Sequence, residues 1–173
     1  GEYWRELDRE QGYPTEFVKR LSEDGWLGAL IPEEYGGGGL SESDAAIILE
    51  EINHQGCNSG ACHAQMYIMG TVLRHGSDAQ KQQYLPGIAS GEIRLQAFGV
   101  TEPDAGSNTL AIRTRAVQQD DGSWVVDGQK IWTSRFFHSD MMLLLARTSE
   151  PVEGKPKWWG LSTFLVDLRE AGD

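Results

Sequence analysis

The feature that most constrains this chain is a change of hydrophobic period near residue 91. Up to that point apolar residues recur at helical spacing between clear stops; beyond it they alternate or run in short blocks. Ala45, Ile48, Leu49 and Ile52 recur at i, i+3, i+4 and i+7, with Glu42, Asp44, Glu50 and Glu51 off that stripe and Ser41 placed as N-cap. Pro14 opens an earlier helix that carries Phe17, Val18 and Leu21 and stops at Gly25. A third helix is expected from about Ser59 to His75, with Met66, Met69 and Leu73 on one side and Gly76 as its end. Ser77 with Gln80 reads as a capping box for a short helix through Tyr84, which Leu85-Pro86-Gly87 should break. Ile31 to Tyr35 and the four glycines Gly36 to Gly39 read as a loop, because glycine loses the most backbone entropy on ordering.

From Glu92 onward, Ile93, Leu95 and Ala97 alternate with Arg94, Gln96 and Phe98, the pattern of a half-buried strand. Asp121-Gly122 signals a hairpin between Ala111–Gln118 and Ser123–Val126, and Asp127-Gly128 a second turn before Gln129–Ser134. Met141–Ala146 and Leu161–Val166 are unbroken apolar runs, expected to be strands buried on both faces, joined by a polar loop over Glu150–Lys157. Helices followed by strands make the fold class α+β, with a helical domain over residues 1–91 and a β domain over 92–173.

Fifteen Lys and Arg against 26 Asp and Glu leave a net charge of −11, which argues against nucleic acid as a partner. No stretch reaches the roughly 20 apolar residues of a membrane helix, and Gly1–Glu10 is polar rather than signal-like, so the expectation is a cytoplasmic protein. Cys57 and Cys62 lie near His54 and His63, but the spacing matches no common zinc module, and core packing is the expected use of the thiols.

The most unusual stretch is Gln96 to Asn108, QAFGVTEPDAGSN, a strand that meets Pro103 and enters a loop of small residues. Such a loop offers backbone N–H groups and the hydroxyls of Thr101 and Ser107 to a ligand edge; from chemistry alone a polar turn is an equal reading. TEPDAGS after Phe98-Gly99-Val100 resembles the signature of the acyl-CoA dehydrogenases. PEEYGGGGL, KQQYLPGIASGE and DGQKIWTS are similar to further family segments in the same order.

The resemblance implies a helical N-terminal domain followed by an antiparallel, barrel-like middle domain. It also implies FAD as cofactor and α,β-dehydrogenation of an acyl-CoA thioester, with a carboxylate taking the α-proton and the flavin taking a hydride. By position, Phe98, Val100 and Thr101 would lie against the isoalloxazine. Trp132 would pack on its face, Ser134 would bond near its reactive edge, and Ser107 would touch the thioester. In the family the catalytic base belongs to a C-terminal helical domain. No catalytic residue is therefore assigned, Glu102 lacking evident desolvation and His138 reading as structural. This implies a truncated chain with a partial flavin site, inactive alone and binding FAD weakly or not at all.

Electron-transfer flavoprotein or a similar acceptor and a homo-oligomer are the partners implied, in fatty acid metabolism. Acyl-CoA oxidases and some flavin monooxygenases share these domains, and a non-enzymatic association module is the remaining alternative. Two departures from the family pattern are Asn108, where Asp is common, and Arg135 to Asp140, in place of an Asn-Gly turn.

Overall fold

The computed structural model describes residues 1–169, so the last four residues of the expected β domain lie outside the described residues. The chain divides into two compact units: Gly1–Gln96 with Phe137–Asp140, and Ala97–Phe136 with the residues from Met141 onward. The fold is α+β.

The first unit holds α1 (Glu2–Glu10), α2 (Thr15–Glu23), α3 (Glu42–His54), α4 (Gly60–His75) and α5 (Asp78–Ser90). Helix α1 falls in the stretch read only as polar. It buries no residue fully, and its Trp4 ring meets Phe17 of α2 edge-on at 5.0 Å. Ser41 and Ser77 both close capping boxes, with Asp44 and Gln80 respectively, so each helix start satisfies two backbone donors through side chains.

Val18, Leu27, Ala45, Ala61, Cys62 and Met66 form a buried cluster against which Phe17, Leu21, Ile48, Leu49 and Ile52 pack. Cys62 is thus a core residue, as the sequence suggested. The glycine run is an ordered loop containing a single turn of 3-10 helix at Glu33–Tyr35. Its amides bond back onto the preceding segment, Gly38 N to Gly28 O at 3.1 Å and Gly39 N to Ile31 O at 2.8 Å. A Cβ on Gly37 would overlap the Ile31 carbonyl oxygen, so that approach requires glycine.

Helix α5 corrects one expectation: it does not stop at Leu85 but runs through Pro86 to Ser90, where Gly91 takes the left-handed conformation at φ 80°. Leu85, Ile88 and Ala89 are buried, and that burial offsets the hydrogen bond that proline cannot donate.

The sheet has five strands: β1 (Leu95–Gly99), β2 (Arg115–Gln118), β3 (Trp124–Asp127), β4 (Met141–Arg147) and β5 (Leu161–Asp167). Its order is β1-β4-β2-β3, with β5 also on β4. The β2–β3 hairpin is antiparallel in the register Val117 opposite Val125, turning at Gly122 with φ 85°. Strands β4 and β5 are antiparallel from Met141 opposite Asp167 to Arg147 opposite Leu161. Arg115 pairs with Arg147 in parallel sense, so the sheet is mixed, and its path is open rather than a closed barrel among the described residues.

Three strand expectations change. In β1 the alternation fails, because Gln96 is buried beside Leu95 and Ala97: its Oε1 accepts a 2.8 Å bond from the Tyr13 hydroxyl. β4 is buried on both faces as expected, whereas β5 is only half-buried, since among the described residues β4 is its sole strand partner. Gln129–Ser134 forms no strand, because Trp132 (φ 60°) and Arg135 (φ 62°) leave the pleated conformation. Among the described residues, no helix is long and apolar enough to cross a membrane.

Candidate functional site

The stretch after β1 and the stretch after β3 run side by side in the second unit. Ile131 N donates to Thr101 O at 2.9 Å, and the Lys130 ammonium donates to Val100 O at 3.0 Å. Residues 98–102 and 130–134 thereby share one edge. A tight turn follows, with Glu102 and Ala105 exchanging backbone bonds of 3.0 and 3.1 Å, and it delivers Ser107 to the surface beyond it.

Beneath this edge lies a buried polar cluster that sequence reasoning missed. Glu102 is 6% exposed, which corrects the expectation that its loop leaves it solvated. Burial is the largest single influence and would raise its carboxyl, and the Lys130 ammonium at 2.8 Å is the largest of the interactions that oppose it. The Thr114 hydroxyl at 2.6 Å and the amides of Arg113 (2.6 Å) and Thr114 (2.9 Å) add to it, and together they hold the pKa down to about 2. A carboxylate so held is a poor proton acceptor at neutral pH, so Glu102 is structural for a stated reason. No local pattern marks the pair, since Lys130 stands in the mostly polar stretch Asp127 to Ser134; a lysine is buried only with a partner such as a carboxylate.

Above the cluster the edge is open. Trp132 is 85% exposed and held in the left-handed region, which costs a bulky residue on the order of 1–3 kcal/mol. Ser134 N turns back to Trp132 O at 2.9 Å, closing the tight bend that presents the indole. Phe98 is 37% exposed on the outward side of β1, and Val100 and Thr101 are half-buried. Among the described residues, the Thr101 N–H and the hydroxyls of Thr101, Ser107 and Ser134 have no hydrogen-bond partner. An exposed indole and phenyl beside neutral, unpaired donors suit a flat conjugated ligand with a polar edge.

The remaining candidates lie elsewhere. His138 stacks on Tyr13 at 4.6 Å in the helical unit, where Asp140 ties its turn to Arg94 through a 2.7 Å backbone–carboxylate bond. Among the described residues no group of three or more His, Cys, Asp or Glu side chains is placed to hold a metal ion.

Two family models match: the acyl-CoA dehydrogenase N-terminal domain over residues 2–92 and the acyl-CoA dehydrogenase middle domain over residues 97–172. The chain is 36% identical to the acyl-CoA dehydrogenase FadE12 of Mycobacterium tuberculosis over 155 residues, 89% of this chain and 39% of that protein. It is 36% identical to the glutaryl-CoA dehydrogenase of Desulfococcus multivorans over 168 residues, 94% of this chain and 41% of that protein. A solved glutaryl-coenzyme A dehydrogenase in complex with glutaryl-CoA superposes with a TM-score of 0.82 at 34% identity, over 98% of this chain and 42% of that one. The chain thus spans about two fifths of the length of these curated relatives.

Proposed function

The chain belongs to the acyl-CoA dehydrogenase family, and from that premise we propose that the protein oxidises the α,β bond of an acyl-CoA thioester with FAD as electron acceptor. The observation that carries this reading is Trp132, exposed and conformationally strained beside the open donors of Thr101. FAD, when bound, supplies the two-electron acceptor for the oxidation. Phe98 and Trp132 provide an apolar wall for its ring system, and Val100 contributes half-buried apolar surface beside them. The Thr101 N–H and hydroxyl and the Ser134 hydroxyl provide neutral donors for its polar edge. Ser107, beyond the Glu102–Ala105 turn, is the contact for the thioester.

These residues position and exclude water; they do not take the substrate proton. Glu102 is committed to Lys130 and to Thr114, and the other side chains of this edge are neutral. A polypeptide of residues 1–173 alone is therefore expected to bind FAD weakly and to lack dehydrogenase turnover. Electron-transfer flavoprotein as acceptor, fatty acid metabolism and a homo-oligomeric state are part of the same reading. Free Cys57 and Cys62 suit a reducing compartment such as the cytoplasm.

FAD titration followed by flavin fluorescence, on the parent and on Trp132→Ala, tests the assignment. The parent should bind and the variant should lose about tenfold or more in affinity. Equal affinities would remove the indole from the site. Stoichiometric yellow flavin together with acyl-CoA-dependent dye reduction by the 173-residue polypeptide would refute the expectation that it lacks turnover.

A further inference from the structure

Val100 O and Thr101 N–H belong to one peptide group. Lys130 places its ammonium on the oxygen of that group at 3.0 Å, and the N–H at the other end has no acceptor among the described residues. A cation on a carbonyl draws electron density through the amide and makes its N–H a stronger donor. The same ammonium is 2.8 Å from Glu102, itself held by Thr114 and by the Arg113 amide, so Lys130 cannot swing away without leaving a buried carboxylate unpaired. The Lys130 side chain is only 10% exposed, so water screens its charge little.

We propose that Lys130 is a positioning residue that holds and polarises the Val100–Thr101 peptide, strengthening the Thr101 N–H as a donor to the edge of FAD that gains negative charge on reduction. Glu102 acts through Lys130: it fixes the ammonium on Val100 O and cancels most of its charge. The inference rests on the assignment of Thr101 to the FAD edge made above. It adds that affinity for reduced over oxidised FAD is set by a pair that never touches the cofactor. An ammonium near that edge favours the more negative, reduced form, and an unpaired carboxylate disfavours it.

The test compares FAD-loaded protein as parent, Lys130→Met, Glu102→Gln and the double variant. It reads the ratio of dissociation constants for oxidised and dithionite-reduced FAD, whose logarithm sets the shift in midpoint potential from free FAD by linkage. Lys130→Met should lower the preference for reduced FAD and Glu102→Gln should raise it, each by about tenfold, with the double variant between them. Damage to the fold alone would move both single variants the same way. Shifts of one sign, or none in variants that retain FAD, overturn the proposal.

If a single variant fails to fold, the double variant decides, because it leaves no buried charge unpaired. It should bind oxidised FAD about tenfold more weakly than the parent through loss of the Val100 tether, and unchanged affinity overturns the proposal. A parent protein that binds no FAD overturns the cofactor assignment and this inference together. A parent that binds FAD while the variants show no signed shift overturns this inference alone.

Discussion

Replacing Glu102 with glutamine perturbs the second unit at its most heavily bonded side chain. The carboxylate accepts from the Lys130 ammonium, the Thr114 hydroxyl and two backbone amides, and it is 6% exposed. Glutamine keeps one acceptor oxygen but aims an NH2 at groups that are themselves donors, and it leaves a buried ammonium without its counter-charge. The folded carboxyl sits at about 2 against an ordinary value of 4.5. That shift of about 2.5 units corresponds to about 3 kcal/mol of stability. The figure agrees with the roughly 3–5 kcal/mol lost when one partner of a buried pair is removed.

Because the pKa is depressed on folding, this stability is fully present above about pH 4.5 and drains away as pH falls toward 2. Urea unfolding followed by tryptophan fluorescence, on parent and variant at pH 7 and pH 3, is the assay. The midpoint gap at pH 7 should be about 1–3 M for slopes of about 1–3 kcal/mol per molar. At pH 3 the gap should shrink to less than about half. A gap below about 1 kcal/mol at pH 7, or one that stays constant down to pH 3, would refute the assigned role of the cluster.

Trp132→Gly should leave the protein as stable or raise its stability by about 1 kcal/mol in thermal melts, because glycine relieves the left-handed strain and the indole covers little. The same change should weaken FAD binding by about tenfold or more. Ser77→Ala removes the hydroxyl that accepts from Gln80 N, and helical-unit stability should drop by about 1 kcal/mol in urea titration. Pro86→Ala restores a helix donor in α5 and should stabilise by about 1–3 kcal/mol, read as a raised melting temperature; a lowered one would mean that the proline ring contributes packing of its own. Gly37→Ala should destabilise by more than about 2 kcal/mol, since the new methyl meets the Ile31 backbone rather than a flexible side chain.

What was legible in the sequence follows a physical division. Helices α2, α3 and α4 and the β2–β3 hairpin are specified by local signals: caps, 3.6-residue stripes and an Asp-Gly turn. Their boundaries could therefore be read from neighbours in the chain, except the start of the hairpin: β2 begins at Arg115 rather than Ala111, which ends a turn of 3-10 helix. Helix α1 has a mostly charged surface and exists through contacts such as Trp4 on Phe17, which no local pattern announces. Pro86 is a strong local stop overruled by the burial of Leu85, Ile88 and Ala89. Gln96 occupied an outward position in the alternation but is held inside by Tyr13, 83 residues away. In each case a tertiary partner defeats a local rule.

The candidate site divides along the same line, and the division bears on how it works. Phe98, Thr101, Trp132 and Ser134 were named from an ordered set of motifs, and these are the residues left exposed or with open donors, the places where packing constrains the side chain least. Glu102 and Lys130 stand inside the same two motifs yet had no legible role, because each has a meaning only through the other, 28 positions away. A buried ion pair is weak evidence for stability by itself, since its desolvation offsets much of its attraction. Its use here is positional. It joins the two segments that carry the open donors and fixes Val100 O, while the Thr101 N–H of the same peptide has no acceptor among the described residues. The strained Trp132 lies two residues beyond the lysine, so the segment proposed for the cofactor is anchored at Lys130 and bent at Trp132. A rigid edge of this kind has its donors oriented before the ligand arrives, and the entropy of ordering them is met in folding rather than in binding.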